Sequence, residues 1–197
     1  MYLDDIAAYV PQSEEEEVDK EMILSYIRQY PDTILTRANQ AAHLTASGFV
    51  LSEDGAWVLM AHHNLYRVWA WTGGHADGEG DLLSVALREA REETGAAGLR
   101  PLSARTASLE ILPVWGHVKR GAYVPSHLHL NVSYLLTADR DGPLTVREGE
   151  NTKVGWLPAD RLTECTGEWQ MDPVYTKLLS RGRTLLAKRK EGPSVLA

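Results

Sequence analysis

Apolar positions recur along the chain with two different periods. Met22, Ile23, Tyr26 and Ile27 follow one another at helical spacing, and Pro31 closes that run. Ser13 with Glu16 three residues on has the spacing of a capping box. Glu14, Glu15, Glu16 and Glu17 then sit at the positive end of the predicted helix, where a solvated acidic start is the plain reading. From residue 43 the period shortens. Residues 43–51 are rich in strand formers, Asp54-Gly55 signals a hairpin turn, and residues 56–62 form the return strand. Residues 66–72 read as another short strand, with Trp69 and Trp71 on one face as core residues, broken by Gly73-Gly74. A helix is predicted over 81–94, ending at Gly95. Residues 107–115 and 127–137 read as strands. Thr145 starts a further short strand, interrupted at 148–151 and resumed at Val154 to Trp156, and a last helix spans 173–190. Its basic end complements the helix dipole. Strands with interspersed helices predict an α+β layered domain, residues 41–197, preceded by a helical extension, residues 1–40.

Composition narrows the function classes. The chain has 197 residues, 44% apolar and 24% charged, enough to bury a core in one domain with an extension. The net charge of −7 makes it a poor general binder of nucleic-acid polymers. A phosphorylated ligand would need local positive charge, which a bound divalent metal supplies. No apolar run approaches the roughly 18 residues of a membrane span, and the first residues read as lacking a secretory signal. Cys165 is the only cysteine, which excludes an internal disulfide and a cysteine-based zinc site. A reducing, cytoplasmic setting fits.

The chemistry concentrates in residues 73–96, GGHADGEGDLLSVALREAREETGA. On a helix, Leu83, Ala86, Leu87 and Ala90 fall in one sector and form the expected core face. Glu89, Glu92 and Glu93, at i, i+3 and i+4, share a different face. That face reads either as wet helix surface or as a set of hard oxygen ligands for a divalent cation. A strand, a glycine pair, a loop and a helix with a carboxylate face make one compact site of the second kind. The glycines there turn the backbone tightly and expose a carbonyl.

This arrangement resembles the Nudix box: Gly, five residues, Glu, seven residues, then Arg-Glu-apolar-x-Glu-Glu-x-Gly-apolar. Gly74, Arg88, Glu89, Glu92, Glu93 and Gly95 fall in place, and Ala90 and Ala96 take the apolar positions. Gly80 departs, standing where the box has its first glutamate, with Glu79 and Asp81 beside it as substitutes. The GGHADG sequence is similar to a bacterial MutT/Nudix-like branch, and the resemblance covers about residues 41–165. It implies the Nudix fold, an α/β/α sandwich around a mixed β-sheet. It also implies a hydrolase that cleaves a diphosphate linkage in a nucleoside diphosphate joined to another group, by water attack at phosphorus with Mg²⁺ or Mn²⁺.

Carried over by position, Glu92, Glu93 and the backbone carbonyl of Gly73 would bind metal. Glu89 would bind metal or act as general base, and Arg88 would orient the glutamates. Glu148 and Glu150 are candidates for an outlying base, with Glu150 favoured. Gly74, His75, Lys119, Arg120, His127 and His129 are the expected substrate contacts. His127 and His129 lie two apart on a strand and so share one side. His62-His63 points to opposite faces and makes a poor joint ligand pair. The basic loop over 115–126 offers Lys119 and Arg120 for phosphates, with Trp115 and Tyr123 for a base to stack on. The expected partner is a small nucleotide-like diphosphate, with no nucleic-acid polymer and no membrane. A homodimer is compatible, the extension serving as a dimer or lid element. The rival reading is a Nudix-fold binding or regulatory module without turnover, kept open by Gly80. An isomerase of isopentenyl diphosphate type is disfavoured, since the early strands carry no cysteine.

Overall fold

A computed structural model describes residues 2–64, 67–119 and 121–191. Helices α1 (Tyr2–Ala8) and α2 (Glu14–Gln29) come first. Strands β1 (Ala42–Leu51), β2 (Trp57–His63), β3 (Trp69–Ala70) and β4 (Thr72–His75) lead to α3 (Leu82–Thr94). Then follow β5 (Arg100–Pro101), β6 (Ser108–Val114), β7 (His117–Lys119), β8 (Ala122–Val124), β9 (His127–Thr137) and β10 (Asn151–Pro158). Helices α4 (Leu162–Thr166) and α5 (Asp172–Lys190) close the chain. No helix among the described residues is long and apolar enough to cross a membrane.

The principal sheet runs β10-β2-β1-β9-β5, with β3 on β2, β4 on β1 and β6 on β9. Its strands are mostly antiparallel. Strands β1 and β9 are parallel: Leu128 N–H donates to the Ala41 carbonyl at one end and Ala138 N–H to the Leu51 carbonyl at the other, with the same offset. The sheet is therefore mixed, and the α+β expectation holds.

The chain packs as two compact units. The first comprises Met1–Ser47, Gly73–Ala86 and Arg105–Tyr134. Ser13 caps α2 by accepting from Glu16 N–H, as the capping spacing predicts, while the Glu16 carboxylate accepts from Gln12 N–H at 2.8 Å. Glu16 is only 3% exposed, and Ser108 Oγ donates to it, so this member of the acidic run belongs to the interior rather than to a solvated face. Helix α1, which the pattern of apolar residues did not announce, is bound to α2 through Lys20, whose ammonium donates to the Ala7 and Tyr9 carbonyls. Strand β9 alternates strictly. Leu128, Leu130, Val132 and Tyr134 take one face, and His127, His129, Asn131 and Ser133 take the other. The second set faces a buried polar network: Thr45 and Ser47 hydroxyls donate to Asn131 Oδ1, and the Asn131 amide and Ser133 hydroxyl donate to Glu110 Oε2.

The second unit comprises Gly48–Thr72, Leu87–Ala104 and Leu135–Ala197. The Asp54-Gly55 turn is as expected: Gly55 has φ +72°, and Asp54 accepts from Ala56 N–H and Ser52 Oγ. Helix α5 packs through Tyr175, Leu178, Gly182 and Leu186. Gly182 lies so close to Leu51 that a Cβ would strike its side chain. Tyr175 is buried against Phe49 and Trp71, and its hydroxyl donates to Glu168.

Three expectations need correction. The strand read over 66–72 is split: Trp69–Ala70 forms β3 and Thr72 opens β4, while Leu65 and Tyr66 lie outside the described residues. Gly73 and Gly74 do not break a strand; they lie within β4. A Cβ on Gly73 would sit 2.5 Å from Ser47 Oγ and 2.9 Å from the Ala46 carbonyl, so β4 reaches β1 only because residue 73 has no side chain. Thr145 starts no strand. Its N–H donates to the Thr94 carbonyl at the end of α3, which takes the backbone group a sheet neighbour would have used.

The buried stripe of α3 is also rotated from the expected one. Leu82, Val85, Ala86, Ala90 and Glu93 are buried, whereas Leu83 and Leu87 are half-exposed. Asp81 caps this helix, accepting from Ser84 N–H at 3.1 Å and Ser84 Oγ at 2.7 Å. These bonds from Ser84 hold the Asp81 carboxyl below the usual range. Asp81→Ala should therefore cost about 1 kcal/mol at neutral pH. A folded-state pKa below the unfolded one gives stability that is present above the unfolded value and lost on acidification. The gap between wild type and variant should close as pH falls below about 4 in urea titrations. A gap that persists at low pH would show that the carboxylate charge is not what caps the helix.

Candidate functional site

In the second unit, α3 presents Glu89 and Glu92 one turn apart, and the turn before β10 brings Glu150 to the same place. The three carboxylates meet on one cation. Arg147 Nη1 lies 3.4 Å from Glu89, 3.0 Å from Glu92 and 3.4 Å from Glu150. Arg88 approaches from the helix itself, donating to Glu89 Oε1 at 3.1 Å and lying 4.0 Å from Glu92 Oε1. Glu89 is the most enclosed of the three, with 14% of its side chain exposed, while Glu92 and Glu150 remain about two-fifths exposed. Glu93 is buried. Helical spacing made the Glu89, Glu92 and Arg88 grouping legible. Arg147 was missed, because the turn that carries it is remote in sequence and has no periodic signature. Glu148 is exposed on the same turn and pairs with none of these groups in the described contacts.

Gly95 ends α3 with φ +62°, and Thr145 would clash with any Cβ there, so two constraints select glycine at the box's final fixed position. Gly80 lies in the first unit. A Cβ on it would meet Tyr2 Cδ1 at 3.7 Å, ordinary contact. Its neighbours are engaged locally: Asp81 caps α3, and Glu79 Oε1 accepts from Asp81 N–H.

The other expected site residues belong to the first unit. Gly73, Gly74 and His75 lie on β4, and His127 and His129 open β9. The structure brings His75, His127 and His129 together with a fourth histidine, His43 of β1. His43 packs its ring 5.0 Å from both His75 and His127. Burial holds His75 and His129 neutral, pushing their pKa values down to about 3 and about 2, and it lowers His43 as well. Sequence reasoning missed His43; its alternation with Thr45 and Ser47 on one face of β1 was the available signal.

Lys119 ends β7 and is exposed; Arg120 lies outside the described residues. Trp115, just before β7, and Val118 and Tyr123, paired across the β7–β8 hairpin, are each exposed by about two-thirds or more.

The family described as NUDIX domain matches residues 41–179. No curated protein matches the sequence. Among solved structures, a NUDIX-family hydrolase from Clostridium perfringens is 20% identical, with a TM-score of 0.48 over 75% of this chain and 97% of that one. A C. elegans Ap4A hydrolase in a binary complex is 16% identical, with a TM-score of 0.48 over 74% and 98%. A MutT studied from Aliivibrio salmonicida and Vibrio cholerae is 15% identical, with a TM-score of 0.44 over 71% and 98%.

Proposed function

The chain belongs to the Nudix family of pyrophosphohydrolases, and from that premise we propose that it cleaves a diphosphate linkage in a small nucleotide-like substrate with the help of Mg²⁺ or Mn²⁺. The observation that carries this reading is the convergence of Glu89, Glu92 and Glu150 on a single cationic group, Arg147. Like charges gathered at one point repel, and here a guanidinium offsets that repulsion. Carboxylate oxygens are the donors that hard divalent cations prefer, so the residues fit the metal that the family implies. Glu89, Glu92 and Glu150 would hold it, with Glu93 as the further ligand expected from the box. When bound, such a cation neutralises phosphate charge and makes bound water more acidic.

The chain's own groups do the rest. Arg88 fixes the orientation of Glu89 through its charge-assisted bond. Arg147 holds the carboxylates together and must yield or turn toward the substrate when a metal enters. Glu89 or Glu150 accepts the proton of the attacking water, and comparing Glu89→Gln with Glu150→Gln assigns that step. Lys119, His75, His127 and His129 stand on the first unit as the proposed substrate contacts. The acidic chain of net charge −7 fits a soluble small-molecule substrate better than a nucleic-acid polymer.

A phosphate-release screen over diphosphate-linked compounds, run with Mg²⁺, with Mn²⁺ and with EDTA, tests this function. EDTA-sensitive cleavage of one compound class is the expected result. Thermal shifts with nucleotides but no cleavage anywhere in the panel would replace it with a binding module. Lys119→Ala should raise KM several-fold with little change in kcat, since the lysine meets ground state and transition state alike. Unchanged KM would remove the β7–β8 hairpin from the substrate site.

A further inference from the structure

The four histidines of the first unit form a second centre, separate in residues and in chemistry from the carboxylate cluster. His43 is on β1, His75 on β4, and His127 and His129 on β9. These are consecutive strands of one sheet, since β4 and β9 both pair with β1. One nitrogen from each ring lies within 4.8 Å of the corresponding nitrogen of every other.

The hydrogen bonds fix which nitrogen faces inward. The Asn39 carbonyl lies 2.9 Å from His43 Nδ1, and the Pro125 carbonyl lies 2.9 Å from His127 Nδ1. A carbonyl only accepts, so both Nδ1 atoms carry hydrogen. In a neutral ring that leaves Nε2 as a bare lone pair. His43 Nε2 is buried in a residue only 4% exposed, and it has no hydrogen-bond partner among the described residues. His127 Nε2 accepts from His129 Nε2 across 3.2 Å, so these two nitrogens already face each other. A buried acceptor without a donor, as at His43 Nε2, is costly. A cation at the centre of the four rings removes that cost.

We infer that His43, His75, His127 and His129 bind one divalent transition-metal ion of the imidazole-preferring class, with Zn²⁺ as the first candidate. The donor set decides the class: imidazole suits zinc, copper, nickel and iron, whereas Mg²⁺ takes oxygen. The reach agrees. Two nitrogens each about 2.0–2.1 Å from a tetrahedral zinc stand roughly 3.3–3.4 Å apart. The His127–His129 separation of 3.2 Å is close to that value, and the remaining rings need only close inward. Carbonyl partners on the outer nitrogens of His43 and His127 are the usual support for metal-bound histidine, fixing tautomer and ring orientation. The ligands ride on strands rather than on loops, which preorganises them. With such an ion bound, the inner nitrogens of His75, His127 and His129 are committed to it, and the substrate contact proposed for these residues passes to Lys119.

The test uses the full chain, stripped with chelator and dialysed, in excess Mg²⁺ so that the carboxylate cluster is occupied. Titration with Zn²⁺ by calorimetry should show one equivalent bound with a raised melting temperature. His127→Gln with His129→Gln should weaken that binding by more than about 100-fold, while Glu92→Gln leaves it unchanged. Cu²⁺ added to the wild-type chain should give electron paramagnetic resonance spectra with nitrogen hyperfine splitting from several imidazoles. That measurement stands even if the double variant does not fold. Failure of the wild type to take up Zn²⁺ beyond what Glu92→Gln abolishes, or a copper spectrum with oxygen donors only, would overturn the assignment. Cleavage assays do not enter either outcome, so the fate of the hydrolase reading and the fate of this site are read separately.

Discussion

Glu92→Gln is expected to lower kcat by about three orders of magnitude or more while leaving the melting temperature level or slightly raised. The substitution keeps the shape of the side chain and removes one negative charge from a cluster that also holds Glu89 and Glu150. On the stability side two small terms oppose each other. The pair with Arg147 at 3.0 Å is two-fifths exposed and is worth at most about 1 kcal/mol. Relief of repulsion between Glu92 and Glu89, at adjacent positions on one helix face, returns a few tenths of a kcal/mol. On the catalytic side nothing offsets the loss. A neutral amide is a much poorer donor to a hard cation than a carboxylate, and in the proposed reaction that cation would carry the charge stabilisation. Activity per folded molecule, measured beside a thermal melt, separates the two roles. A variant that retains wild-type kcat but melts early would make Glu92 a structural residue and sink the proposed function at its central point.

Gly73→Ala is expected to destabilise the fold by about 2–4 kcal/mol. The added Cβ would sit 2.5 Å from Ser47 Oγ, 2.9 Å from the Ala46 carbonyl oxygen and 3.0 Å from Ser47 Cα. Two of those atoms are backbone and cannot step aside, so β4 must move off β1. The third, Ser47 Oγ, is the hydroxyl that donates to Asn131 Oδ1 at 2.8 Å in the buried network shared with Glu110. Pushing it breaks a bond in a place where water cannot replace it. Gly80→Ala is the matched control. Its Cβ meets only Tyr2 Cδ1, at 3.7 Å, and its cost should stay within about 0.5 kcal/mol. Urea denaturation of both variants checks the contrast. Equal stabilities would show that strand contact is not what demands glycine at position 73.

Much of the fold could be read from local patterning. Runs of strand-forming residues bounded by turn signals located β1, β2 and β9 nearly to the residue. The capping Ser13, the left-handed Gly95 and the Asp54-Gly55 turn were legible for the same reason: each is a local conformational demand met by a local residue type. The carboxylate face of α3 was legible too, since helical spacing alone brings Glu89 and Glu92 together. The family likewise follows from a long spaced motif within one segment, and the domain match over 41–179 agrees with it.

Other features depended on where distant segments meet. The buried stripe of α3 runs through Leu82, Val85 and Glu93 rather than through Leu83 and Leu87, because what packs against a helix chooses its inner face. Thr145 reads as a strand former, but its N–H is taken by the end of α3. Arg147 and Glu150 gain their place beside Glu89 only through the turn before β10, about sixty residues away along the chain. His43 joins His75, His127 and His129 because β1 lies between β4 and β9, parallel to one and antiparallel to the other. No spacing rule links residues 43, 75 and 127. Local patterning set most of the elements and the chemistry that one helix can carry. Tertiary structure decided which cation meets the carboxylates and which four rings face one another, because both depend on strand order, a long-range property that local periodicity does not encode.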